Sequence, residues 1–204
     1  MFEASAMVIK EKLIDGDLES ILKALCETRY GEHSIIIYPN LDTFREIYTH
    51  VTKLRIQNNR DRVLLLPHYE TFKSVEQALM ELDIKAKEEI ENGSLEIVDS
   101  QHAFYDPAQT FLEVIKASAT DAVRTGRSGA IIIADMGSFF HRQQISEVIS
   151  HECRIAAQTE NARFIVFCCY HARDFEKLTK EQEIKMCENH YRNLSVRESS
   201  LEYG

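Results

Sequence analysis

The stretch Gly129-Ala130-Ile131-Ile132-Ile133-Ala134-Asp135 decides the fold. A short unbroken apolar run, rich in β-branched residues and bounded by Gly and Asp, reads as a strand buried on both faces. Strands of that kind belong to parallel sheets covered by helices on each side. Working outward, similar runs recur: SIIIY (34–38), VLLLP (63–67), SLEIVD (94–99) and RFIVFCCY (163–170). Between them lie stretches with helical spacing: from Asn40 or Asp42 to Gln57, Thr71 to Leu82, the segment ending at Asn92-Gly93, Ala108 to Thr125, Phe139 to Ala157, and Lys180 to Tyr191. Strands alternating with helices imply βαβ crossovers and a mostly parallel sheet. The expected fold is therefore a three-layer α/β domain with five strands or slightly more.

Before the first strand, residues 3–30 carry helical periodicity. Ala6, Val8, Ile9 and Leu13 precede a break at Asp15-Gly16-Asp17, and Leu18, Ile21, Leu22 and Leu25 follow at i, i+3, i+4, i+7. Gly31 stands where a helix-ending C′ glycine would. The chain divides into an N-terminal helical extension (1–30), one α/β domain (31–196) and a polar tail (197–204).

Composition narrows the function classes. At 204 residues, with 44% apolar and 28% charged residues, the chain can form a core without disulfides or metal. Its net charge of −9 disfavours direct binding to nucleic acid or an anionic membrane surface. Lys53, Arg55, Arg60 and Arg62 form a short basic group, interrupted by Asp61, that reads as a solvated helix end. Glu3 stands where a signal peptide needs positive charge, and no window approaches a membrane span. Five cysteines, an odd number without CxxC spacing, fit reduced thiols in a cytoplasmic protein.

Ligands of open parallel sheets bind beyond the carboxyl ends of the strands. The residues there include Tyr38; His68 and Tyr69; Asp99, His102 and Tyr105; Asp135, Ser138 and His141; and Tyr170 and His171. Four of the eight histidines and four of the eight tyrosines fall just past a strand. A crevice lined by Tyr38, His68, His102, Tyr105, Asp135, His141, Tyr170 and His171 would suit a small organic ligand held by flat faces and a few polar groups. The alternative is that these are unrelated surface and capping residues. The four histidines lack HxH or HxxxH spacing, so neither a metal nor another cofactor is expected.

Catalysis finds little support. The first strand–helix turn, YPNLDTFRE (38–46), has no glycine or lysine, whereas phosphate-binding loops need glycines so that backbone N–H groups can close on the anion. IIIAD (131–135) superficially suits a magnesium-holding Walker-B carboxylate, but Asp135 also reads as a strand-end residue bonding loop amides. Cys169 and His171 share a strand face and could form a dyad, although a buried structural thiol is the simpler reading. No GxSxG elbow exists.

The chain also resembles the MEDS domain, the sensory domain of methanogen and methylotroph regulators, related to the RecA/KaiC-like fold. The resemblance rests on Gly31-Glu32-His33 leading into a strand that ends at Tyr38, on VLLL and Leu82-Asp83-Ile84, on Asn92-Gly93 followed by Asp99 and Tyr105, on Phe167-Cys168-Cys169-Tyr170-His171 with Phe175, and on His190. It spans roughly residues 32–196. His171 replaces the usual acid, Tyr191 replaces a proline, and Ala134-Asp135-Met136 stands where Gly-Glu-Met is common. The resemblance implies a RecA-like core without a phosphate loop, acting as a non-catalytic sensor of a small organic molecule in transcriptional or signal-transduction control. No effector segment is evident, so output would pass through a regulatory partner or a homo-oligomer, with residues 3–30 as one route. A divergent nucleotide hydrolase or phosphotransferase using Asp135, and a pure interaction scaffold, are the competing readings.

Overall fold

A computed structural model describes residues 13–159 and 161–197. Its strands are β1 (Ile14–Gly16), β2 (His33–Tyr38), β3 (Arg62–Leu66), β4 (Leu95–Ile97), β5 (Ala130–Asp135), β6 (Phe164–His171) and β7 (Arg192–Val196). Its helices are α1 (Leu18–Cys26), α2 (Leu41–Gln57), α3 (Phe72–Glu81), α4 (Ala86–Glu91), α5 (Ser100–Tyr105), α6 (Phe111–Arg124), α7 (Gly137–His141), α8 (Ile145–Ala156), α9 (Ala172–Phe175) and α10 (Lys180–Glu188). The strands form one sheet in the order β1-β7-β2-β6-β5-β3-β4, and every pairing is parallel.

Alternation along β5 shows why the strands are apolar throughout. Ala130, Ile132 and Ala134 pack with Phe111, Ile115, Val148 and Ile155 from α6 and α8. Ile131 and Ile133 pack on the opposite face with Ile47, Val51, Val75 and Leu79 from α2 and α3. Both faces are covered, so no position on β5 is left for a solvent-facing polar residue. Burying each large aliphatic side chain contributes roughly 1.5–3 kcal/mol.

The five expected strands are β2 to β6, and two more lie at one side. The segment Asp15-Gly16-Asp17, expected as a break within a helix, instead contributes to β1. Arg192–Val196, for which no strand was expected, forms β7 between β1 and β2. Part of the N-terminal helical extension is therefore a strand of the main sheet. Ile21 and Leu25 of α1 are buried in the same core face as Leu194 and Val196. The expectation for residues 1–12 and 198–204 lies outside the described residues.

Other boundaries also differ. The helix expected over 139–157 is two, α7 and α8, separated by Gln143 at φ 58. Asp99 begins a helical turn by accepting hydrogen bonds from the amides of Gln101 and His102. Gly31 is not a C′ residue, because α1 stops at Cys26. It has φ +85 and sits so close to the Thr159 carbonyl that a Cβ would lie 2.9 Å from that oxygen. Two members of the basic group are taken up by the fold, whereas Arg60 is exposed. Arg55 is buried, donates to the carbonyls of Leu25 and Thr28, and lies 3.8 Å from Asp61; Arg62 pairs with Glu96.

Candidate functional site

At the carboxyl ends of the central strands the fold assembles a layered cluster. Tyr38 ends β2, His171 ends β6 and Asp135 ends β5. Tyr38 donates its hydroxyl to Asp135 Oδ2 at 3.1 Å, and the Gly137 amide donates to Asp135 Oδ1 at 3.0 Å. Above this fully buried floor lie four rings. Tyr38 meets His171 edge-on at 5.3 Å, His171 meets Tyr69 at 6.0 Å, Tyr69 meets His68 at 4.6 Å, and His68 meets His141 at 6.0 Å. Tyr69 donates to Asp174, which also pairs with Lys177. Tyr69 is 42% exposed and His141 is exposed, so the outer rings form a solvent-facing rim.

Burial is the main influence on these groups. It pushes the Asp135 carboxyl up to about 7, against hydrogen bonds from Gly137, Tyr38, His68 and Tyr69 that stabilise the carboxylate. Burial likewise raises Tyr38 and Tyr69 and lowers His68 and His171. The floor thus holds a carboxyl poised between its two forms, and its neighbouring imidazoles favour the neutral form.

Of the eight residues expected to line a ligand site, five come together here: Tyr38, His68, Asp135, His141 and His171. The other three are placed differently. His102 is exposed on α5 and lies 3.7 Å from Asp106. Tyr105 packs against Phe139, with the Arg142 guanidinium 3.9 Å from its ring centroid. Tyr170 points to the opposite sheet face, because it shares the alternation of Cys168, and donates to Glu152. Tyr69 and Asp174 were not among the expected residues. Tyr69 follows the same strand end as His68, whereas Asp174 carries no periodic or motif signal.

Asn40 caps α2 by accepting from the Thr43 amide at 3.0 Å and the Thr43 hydroxyl at 3.1 Å. The chain's own carboxamide therefore occupies the helix N-terminus that a phosphate group would use. The Cys169–His171 dyad is not formed as a hydrogen-bonded pair: the Cys169 thiol contacts the Phe167 carbonyl at 3.7 Å, and burial raises it well above its ordinary range.

Beneath the sheet lies a second polar cluster. Glu152 of α8 is fully buried and accepts from Tyr170. Its Oε2 lies 2.9 Å from His33 Nε2, 3.2 Å from Cys168 Sγ and 3.2 Å from His190 Nε2. Glu152 falls on the apolar stripe of α8 with Val148, Ile149 and Ile155, and a lone acid on such a stripe is the sequence signal for this cluster.

The family model described as MEDS, the methanogen/methylotroph, DcmR sensory domain, matches residues 32–190. The chain belongs to the MEDS family. The match begins one residue before His33 and ends at His190, two members of the cluster around Glu152. Among solved structures, the MEDS chain is similar to a KaiC-like protein from the hyperthermophilic archaeon Pyrococcus horikoshii OT3. The TM-score is 0.60 at 10% identity, covering 85% of this chain and 75% of that one. This likeness establishes a RecA/KaiC-like fold. A comparison with curated proteins finds no match. Among the described residues, no helix is long and apolar enough to cross a membrane.

Proposed function

We propose that this MEDS domain is a non-catalytic sensor whose small organic ligand binds at the carboxyl ends of β2, β3, β5 and β6. The observation that carries the reading is the buried Tyr38–Asp135 pair beneath the ring rim of His68, Tyr69, His141 and His171. A flat or apolar ligand would enter by displacing the half-exposed Tyr69 ring and would find the Asp135 carboxyl and Tyr38 hydroxyl as polar partners. Binding would alter the Tyr69–Asp174 contact and so the position of α9. Output then passes to a regulatory partner or a second copy, in signal transduction or transcriptional control.

Nucleotide turnover is the less favoured reading. Asn40 caps the N-terminus of α2 with its own side chain, and the acids Asp99 and Asp135 near the strand ends oppose a polyanion. Thermal-shift measurements with a panel of simple hydrocarbon derivatives, and separately with ATP and magnesium, test both readings. A ligand at 100 times its Kd stabilises the native state by about 2.7 kcal/mol. The expected result is a shift with one organic class, lost in Asp135→Asn and retained in His102→Ala. A shift with ATP-magnesium that disappears in Asp135→Asn would overturn the sensor reading.

A further inference from the structure

His33, Glu152, Cys168 and His190 come from four separate elements: the first residue of β2, the buried face of α8, the middle of β6 and the turn after α10. All four are buried, and their donor atoms lie within 4.8 Å of one another. We propose that they form a four-coordinate site for a divalent transition metal of the zinc class, bound through His33 Nε2, His190 Nε2, Cys168 Sγ and Glu152 Oε2.

Three observations carry the assignment. The first is a proton count. His190 Nδ1 lies 2.7 Å from the Met186 carbonyl, which can only accept, so Nδ1 carries the hydrogen. In a neutral ring, Nε2 is then a lone pair facing the Glu152 oxygen 3.2 Å away. Two lone pairs at that separation need a cation or a proton between them. A carbonyl accepting from the far nitrogen of a histidine is the usual outer support of a metal-bound imidazole.

The second is charge. A Cys168 thiolate and a Glu152 carboxylate carry two negative charges, and two neutral imidazoles add none. A divalent cation makes the centre neutral, which is the condition for burying it cheaply. The third is size. Tetrahedral zinc with nitrogen, oxygen and sulfur ligands separates its donors by about 3.3–3.8 Å. The closest pairs here, His33 Nε2 to Glu152 Oε2 at 2.9 Å, His33 Nε2 to Cys168 Sγ at 3.1 Å and Cys168 Sγ to Glu152 Oε2 at 3.2 Å, need to open by roughly half an ångström. Tyr170 donates to the carboxylate from outside the donor set.

Binding exchanges the metal's waters for the four donors and releases to solvent the Cys168 thiol proton and the proton otherwise held between His190 and Glu152, so a closed, structural centre forms with no redox change. The mixed nitrogen–oxygen–sulfur set suits zinc, or cobalt as its spectroscopic substitute, over magnesium or calcium.

The test uses the full chain, produced in zinc-supplemented medium and separately in cobalt-supplemented medium, and analysed for metal after gel filtration. The expected result is about one metal per chain. The cobalt form should show a thiolate-to-metal charge-transfer band and intense tetrahedral ligand-field bands. Cys168→Ser should abolish the charge-transfer band, and His190→Gln should lower metal content at least about tenfold. Should a variant fail to fold, the wild-type chain still decides. Metal below a tenth of an equivalent, even after refolding in excess zinc, with no cobalt–thiolate band, overturns the site in favour of a hydrogen-bonded network. Bound metal whose thiolate band survives in a folded Cys168→Ser chain also overturns it, by locating the metal elsewhere.

Discussion

Tyr38 and Asp135 reach each other across an intervening strand: β6 lies between their strands, and the tyrosine hydroxyl still lies 3.1 Å from the carboxylate. This contact ties the strand after which a phosphate loop would stand to the strand carrying the acid. Removing the hydroxyl in Tyr38→Phe leaves Asp135 Oδ2 without that donor. The expected loss is about 1–3 kcal/mol in urea denaturation, with the carboxyl driven further upward. An unchanged midpoint would mean that the pair contributes nothing to the native state.

Asp135 also sets a pH dependence. It is surrounded by Tyr38, Cys169 and the backbone of His68 and Tyr69, and its raised value of about 7 compares with an ordinary 3.8. Between those values the folded chain keeps a proton that the unfolded chain has lost. The contribution of Asp135 to stability is therefore full below about pH 4, falls as pH rises towards 7, and is constant above that. The fall is on the order of 4 kcal/mol. Asp135→Asn should flatten that slope; a variant with the wild-type slope would assign it to other groups.

Replacing the cap of α2 separates stability from nucleotide binding. Asn40→Ala should cost about 1 kcal/mol, because the Thr43 amide loses its acceptor. It should not confer binding of ATP, since the turn has no glycines with which to enclose a phosphate. A thermal shift with ATP-magnesium in this variant would contradict that account.

Gly137 is a fourth lever. A Cβ there would lie 2.6 Å from the Tyr69 ring and 2.7 Å from the His68 ring. Gly137→Ala must push the rim outward. It should destabilise by about 1–3 kcal/mol and weaken any ligand that depends on the Tyr69 position. Equal stability and equal ligand response would show that the rim yields freely.

Tyr170→Ala belongs with the core rather than with the rim. The ring is fully buried and its hydroxyl serves Glu152. Truncation should cost about 3–5 kcal/mol, whereas exposed His102→Ala should stay within about 0.5 kcal/mol. Thermal denaturation of the two variants checks the contrast.

The layered α/β architecture was legible because β2, β3, β5 and β6 are apolar on both faces, a pattern that few other environments produce. β1 and β7 were not, because Ile-Asp-Gly and Arg-Asn-Leu-Ser-Val at the margin of the sheet bury only part of each strand. Five of the eight candidate residues meet in one cluster and three do not, since a strand end fixes position without fixing side-chain direction. Tyr170 failed for that reason: one residue of alternation sends it to the other face from His171. Arg55 failed because a charged residue on a helix reads as solvated until carbonyls from another element, here Leu25 and Thr28, are found to receive it.

The sheet's two outermost members, β1 and β4, are each three residues long. Unpaired backbone at such stubs gives another polypeptide very little to zip onto, so accidental fibre growth by edge pairing has a poor foothold. On the proposed sensor reading, a partner is therefore expected to grip side chains on its helical flanks rather than lengthen its sheet.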